Sequence, residues 1–256
     1  MVHMVRDFQP AIESDTSGRV AGTDFTLAEN QVDVWQIDIG GEEDSIQERR
    51  SLLSQDEVER ADRFHFEKHR RRFVKARAAM RQILSAYAGI PAKELTFAYG
   101  AKGKPHLSGD AEKSAIQFNL SHSHDAAILA VTRGLTAGID IEWINPEFAT
   151  EEIAARFFAQ GEVECLQALP VAQRADGFFA CWTRKEAYIK ALGDGLSVPL
   201  DSFEVSFGPG IPAALLQVKT DPGEVTRWSM YDLEAAPGYR AALVVQGKGH
   251  SLRHRR

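Results

Sequence analysis

CWTRKEAYIKALGDG, residues Cys181–Gly195, is the stretch from which the rest of the chain can be read. Phe178, Phe179, Trp182, Ile189 and Leu192 recur at helical spacing, and Gly193 stops the pattern. With about 100° of turn per residue, Lys185 falls inside this apolar stripe and Glu186 at its edge. Lys190 lies one turn further on, beside Glu186. A lysine facing a core needs a negative partner, because an unpaired buried charge is costly. The stretch therefore reads as a helix offering Lys-Glu-x-x-x-Lys to an anion, or to a metal that holds one. An exposed Glu186–Lys190 pair would contribute only about 0.2–0.5 kcal/mol, and it leaves Lys185 unexplained.

Upstream, Ile139-Asp140-Ile141-Glu142 alternates as a strand does, so Asp140 and Glu142 share one face while the isoleucines point to the core. Two adjacent carboxylates suit Mg²⁺, which takes one or two of them together with substrate phosphates and water. Glu186 supplies a third if the helix packs on this strand; a solvated strand end is the ordinary fate of D-x-E alone. Phe118–His124 (FNLSHSH) ends a strand in small polar groups. His122 and His124 share a face, but no third zinc ligand lies nearby, and His122 as a donor to phosphate is the more economical reading. Lys68–Arg81 holds seven Lys or Arg residues. There Phe73, Ala76, Met80, Ile83 and Leu84 form the buried stripe, with Arg72 a phosphate ligand at its border and Arg77 a structural ion pair. Arg71 and Lys75 face solvent. Gly103-Lys104-Pro105 is a tight turn carrying one cation. No Walker loop or G-x-G-x-x-G fingerprint is present, so neither a P-loop nor a Rossmann nucleotide site is indicated.

The organisation repeats. Val32–Trp35 is echoed by Ile139–Glu142, Asp62–Phe64 by Ala155–Phe158, Pro91–Tyr99 by Pro199–Phe207, and Ala127–Val131 by Ala241–Val245, in the same order. The helix carrying Phe73 to Leu84 is echoed by the one ending at Leu192. Two α+β halves follow, residues 31–134 and 138–247, with a ligand cleft expected between them. Residues 1–30 are read as a flexible segment and 248–256 as a mobile basic tail. The chain has 256 residues, 44% of them hydrophobic, which is enough for a real core. A net charge of −6 argues against a general nucleic-acid partner. No apolar run reaches the ~18 residues of a membrane span, and no secretory signal is visible. Cys165 and Cys181 have no metal-type spacing, which fits a reducing cytoplasm.

Taken together, Gly103–Pro105, Phe118–Ser123, Gly138–Glu142 and Trp182–Lys190 make the chain resemble a 4′-phosphopantetheinyl transferase of the surfactin-synthetase-activating (Sfp) type. The likeness runs from about Val32 to Val245. It implies an α+β fold of two pseudo-symmetric halves with the active site between them, in a cytoplasmic monomer. It also implies transfer of the phosphopantetheine arm of coenzyme A (CoA) to a serine of an apo acyl or peptidyl carrier protein, with release of adenosine 3′,5′-bisphosphate. Such carriers serve fatty-acid, polyketide or nonribosomal peptide synthesis; no nucleic-acid or membrane partner is implied.

By the same resemblance Asp140, Glu142 and Glu186 hold Mg²⁺, and Glu186, or a metal-bound water it orients, is the general base for the serine. Lys190 and Lys185 stabilise the pyrophosphate and the leaving group. His122 and Arg72, with Arg60 and Arg70 as alternatives to the latter, meet the 3′-phosphate. Gly103, Lys104, Pro105 and Ser121 line the adenine side. Carrier docking is expected near Phe148–Phe158. A Mg²⁺-dependent nucleotide hydrolase would explain the carboxylates and lysines but not the ordered motif set. A non-catalytic binding module would be expected to have lost a metal ligand.

Overall fold

The computed structural model describes residues 25–41, 46–193 and 198–256. Residues 1–24 of the expected flexible segment, and Asp194 and Gly195 of the opening stretch, fall outside these ranges. Residues 25–30 are anchored: Leu27 is buried, and the Phe25 ring lies 5.8 Å from that of Trp35.

The chain first builds β1 (Gln31–Asp38), α1 (Ile46–Ser51), α2 (Gln55–Asp62) and α3 (Glu67–Ala88). A hairpin of β2 (Thr96–Tyr99) and β3 (Pro105–Ser108) follows, then β4 (Ile116–Ser123) and β5 (Ala126–Arg133). It next repeats this plan with β6 (Ala137–Trp143), α4 (Glu151–Phe157), α5 (Gln160–Ala168) and α6 (Val171–Leu192). The hairpin is now β7 (Phe203–Val205) and β8 (Leu215–Val218), followed by α7 (Glu224–Arg227), β9 (Trp228–Leu233) and β10 (Tyr239–Gln246). A last strand, β11 (Ser251–Arg255), closes the chain. The two main sheets run β11-β1-β5-β4 and β6-β10-β9. Apart from β11 their order is the same.

Period-two alternation sorts each strand between two apolar layers. Trp35, Ile37, Leu129 and Val131 face Ala76, Met80, Ile83 and Leu84 of α3. Val32, Val34, Ile128 and Ala130 face the other way and meet Ile139, Ile141, Leu243 and Val245 of the second sheet. On that sheet's far side Ala242 and Val244 pack against Phe178, Ala187 and Ile189 of α6. The layers are thus helix, sheet, sheet, helix. Both long helices end on a glycine in the left-handed region, Gly89 at φ 70° and Gly193 at φ 75°. Among the described residues no helix is long and apolar enough to cross a membrane.

Several expectations need correction. The stretches from Pro91 and Pro199 begin as 3₁₀ turns, Ala92–Glu94 and Leu200–Ser202, and turn into strand only at Thr96 and Phe203. Lys75 is buried, not solvated, because its ammonium donates to the Gly40 and Gly41 carbonyls. The basic tail is not loose. β11 pairs in parallel with β1, from Gln31–Ser251 to Trp35–Arg255. Asp33 of β1 is fully buried and needs cationic partners. Arg253 supplies two hydrogen bonds, at 2.8 Å and 2.7 Å, and Tyr87 another. Burial alone would raise the Asp33 pKa, but bonds from Arg253, Tyr87 and Gln31 outweigh it and hold the carboxyl below its usual range.

The seam between the sheets positions the site. Along β4, Asn119, Ser121 and Ser123 share one face and reach β6 by side chain. Asn119 accepts from the Ile139 amide (2.8 Å), Ser121 donates to Asp140 (2.8 Å), and Ser123 donates to Glu142 (2.7 Å). At the start of β6, Gly138 lets α6 lie directly on the strand. A Cβ there would stand 2.2 Å from both the Ala187 carbonyl oxygen and the Ala191 amide nitrogen. We expect Gly138→Ala to push α6 off the strand and cost about 1–3 kcal/mol, the usual range for overpacking. Urea denaturation reads the change; a midpoint equal to wild type would mean that the helix does not need this close approach.

Candidate active site

Asp140 lies where β6 meets β4 and α6 and is only 2% exposed. Its Oδ1 accepts from Ser121 Oγ (2.8 Å) and Lys190 Nζ (2.6 Å), while Oδ2 is buried with no partner. A buried carboxylate oxygen without a donor is unfavourable unless something else binds it. Glu142, two residues on, is pushed up to about 7, first by burial and then by the charge of Asp140. Glu186 on α6 is also raised, by burial and then by Asp140, with Lys190 opposing. Three carboxylates therefore feel one another across the β6–α6 contact.

Among the described residues no three His, Cys, Asp or Glu side chains converge closely enough to enclose an ion by themselves. The donor set still fits Mg²⁺. It offers hard oxygens, mutually repelling carboxylates and an orphaned Asp140 Oδ2, the kind of set that Mg²⁺ completes with substrate oxygens and water.

On the α3 side of β4 the charge is reversed. His122 is exposed by surface area but crowded by cations. Burial of its ring comes first, then the charges of Lys190, Arg60 and Arg72, and together they hold its pKa below the ordinary value. Arg72 donates Nε (2.9 Å) and Nη2 (2.7 Å) to Asp125. Arg60 lies over the Phe73 ring at 5.3 Å, whereas Arg70 pairs with Glu67. Of the three arginines weighed from sequence, Arg60 and Arg72 are the ones whose charge reaches His122. His124 sits in the turn after β4 at φ 49° and packs its ring on Trp143.

Two family descriptions match in tandem. That of the 4′-phosphopantetheinyl transferase N-terminal region covers residues 41–134, and that of the 4′-phosphopantetheinyl transferase superfamily covers 136–244. The 4′-phosphopantetheinyl transferase HetI of a Nostoc species is 39% identical over 225 residues, which is 88% of this chain and 92% of that protein. The chain belongs to the 4′-phosphopantetheinyl transferase superfamily. The transferase Sfp of Bacillus subtilis is 33% identical over 155 residues, 60% of this chain and 66% of Sfp. Among solved structures, the holo-[acyl-carrier-protein] synthase of Thermotoga maritima aligns with a TM-score of 0.36 at 27% identity, over 44% of this chain and 64% of its own.

Three residues expected at this transferase's ligand do other work. Lys185 is fully buried on the far side of α6. Its ammonium meets Glu162 (2.7 Å) and the carbonyls of Leu200 (2.8 Å) and Phe203 (2.6 Å), and stands over the Phe203 ring. The negative partner that a core lysine requires is thus Glu162 of α5, not the cleft. Lys104 donates to the carbonyls of Lys190 (2.7 Å) and Ala137 (3.0 Å), closing the α6 C-terminus, where a cation complements the helix dipole. Burial lowers its pKa to about 8. Ser121 is buried and orients Asp140 instead of lining a ligand surface.

Gly103, at φ 85°, supplies the turn, and Pro105 lines a cleft of about 370 Å³ together with Gly100, Ala191 and Gly193. Asn119, Ser123 and Asp125 were not singled out from sequence. The spacing Asn119-x-Ser121-x-Ser123 was the available signal, a polar face on a strand whose other face is apolar.

Proposed function

We propose that this transferase uses Asp140, Glu142, Glu186 and Lys190 to move phosphopantetheine from CoA to a carrier-protein serine, with His122, Arg60 and Arg72 receiving the 3′-phosphate. The observation that carries this reading is the partnerless Asp140 Oδ2, set between a carboxylate cluster and a cationic one. Asp140, Glu142 and Glu186 would hold Mg²⁺, which when bound supplies charge neutralisation at the pyrophosphate. Lys190, anchored by Asp140 and Ser121, meets the same oxygens. Glu186, or a water it orients, accepts the serine proton. The serine oxygen forms a bond to phosphorus as the bond to adenosine 3′,5′-bisphosphate breaks. Pro105 borders the adenine side.

Phe148, 41% exposed above Phe178 and Trp182, is the candidate carrier contact; Phe158 is core. The acidic balance and the covered sheets favour a cytoplasmic monomer. Intact mass of an apo carrier after incubation with the enzyme, CoA and Mg²⁺ tests the function. A gain of one phosphopantetheine, abolished by EDTA, is expected. No gain on acyl, peptidyl or aryl carriers, despite measured CoA binding, would refute it.

The same pocket predicts proton uptake. His122 has a depressed pKa, so in the ligand-free protein it costs stability as pH falls through the ordinary imidazole value of about 6.5. A phosphate dianion beside it favours the charged ring and raises that pKa. At a pH of about 6.5, CoA binding should therefore take up a fraction of a proton that His122→Gln does not. Calorimetry in two buffers of unlike ionisation enthalpy reads the difference; equal uptake by both proteins would place His122 outside the phosphate site.

A further inference from the structure

Asp125 occupies the turn between β4 and β5, where both halves pin its backbone. Its carbonyl accepts from the Ile39 amide (2.8 Å), and its amide donates to the Tyr239 hydroxyl (3.3 Å). Its side chain lies across Gly40, where an added Cβ would stand 2.7 Å from Asp125 Cβ and 2.9 Å from Cγ. Gly40 is thus the residue that allows this rotamer. From here one carboxylate oxygen, Oδ1, accepts both Nε and Nη2 of Arg72. The pair is too open to matter much for stability, with the Asp125 side chain 55% exposed. Its geometry matters more. The carboxylate holds one edge of the guanidinium fork and leaves Nη1, which has no protein acceptor among the described residues, for another anion.

We propose that Asp125 is a positioning residue that sets preference for the 3′-phosphorylated donor by holding Arg72 with its remaining donor toward the phosphate. The inference rests on the placement of the 3′-phosphate beside His122 and Arg72. It does not require that transfer occur. An unheld arginine must be ordered when the ligand arrives, and that ordering is subtracted from its affinity.

Binding of CoA and of 3′-dephospho-CoA, each measured by calorimetry, tests it without turnover. The wild-type protein should prefer CoA, and Asp125→Asn should reduce that preference by about tenfold, the value of one well-oriented charge-assisted bond. Gly40→Ala, which displaces Asp125 without touching its charge, should reduce it in the same direction. In an Arg72→Ala background Asp125→Asn should change nothing further, because the two residues act as one unit. Asp125→Glu should restore part of the preference. An Asp125→Asn protein that binds CoA more tightly would show that the carboxylate competes with phosphate, and the proposal would fall. Equal loss for both donors, no change, or additive losses with Arg72→Ala would also overturn it. If the preference responds as expected while no carrier gains mass, the transfer reading fails and the role of Asp125 stands.

Discussion

Asp140→Asn is expected to lower kcat/KM for carrier modification by about 10³-fold, the several kcal/mol that a bound cation contributes to a phosphoryl transition state. The substitution keeps the shape and leaves one oxygen to accept from Ser121. It removes the charge that holds Lys190 and the partnerless oxygen that the proposed function assigns to Mg²⁺. Stability should stay level or rise, because Asp140 is a source of repulsion for both Glu142 and Glu186. A protein that is folded, at least as stable and nearly inactive is the signature of a carboxylate kept for function. Steady-state kinetics with a Mg²⁺ titration, alongside thermal denaturation, separates the two effects. Activity within tenfold of wild type would remove Asp140 from the centre of the mechanism.

Lys185→Met should do the opposite, lowering stability by about 3–5 kcal/mol, as removal of one partner from a buried pair does. Glu162 would remain buried, still accepting from the Val205 and Ala159 amides but without its cation. Burial already raises the Glu162 pKa against the pull of Lys185, and without the lysine it rises further. A carboxyl with a raised folded pKa stabilises its protonated form, so the variant should gain stability as pH is lowered from neutral to a mildly acidic value still above the ordinary Glu value of about 4.3. Adding Glu162→Gln, which keeps an acceptor for one amide, should restore part of the loss at neutral pH. Urea denaturation at both pH values gives the result. If Lys185→Met instead kept wild-type stability and lost only kcat, the lysine would belong to the reaction after all.

These two residues, 45 positions apart in sequence, show what the sequence could disclose. Asp140 was legible because a strand has only two faces and its neighbours are isoleucines. The α6 wheel correctly put Lys185 in an apolar stripe. A wheel gives a direction and not what waits there, and Glu162 comes from α5, beyond any local pattern. The order of the repeated elements was visible because each half must bury the same alternation under the same kind of helix. The tail was misread because Ser251–Arg255 has no apolar run; its place is fixed by a buried aspartate more than 200 residues away. Lys104 was read as a ligand cation for a similar reason. Nothing near it in the chain shows that the end of α6 comes within its reach.

The repeat gives the C-terminal strand a further meaning. Asp33 on β1 stands where Asp140 stands on β6, each facing the long helix of its own half. At Asp140 one oxygen has no protein donor. At Asp33 the guanidinium of Arg253 lies against both oxygens, with Arg255 behind it. One sequence plan, folded twice, has thus produced two acidic niches, and the end of the chain has sealed one with its own arginines. The asymmetry of the enzyme is in this light a matter of occupancy. The protein satisfies the first carboxylate entirely with its own side chains and the second only by half.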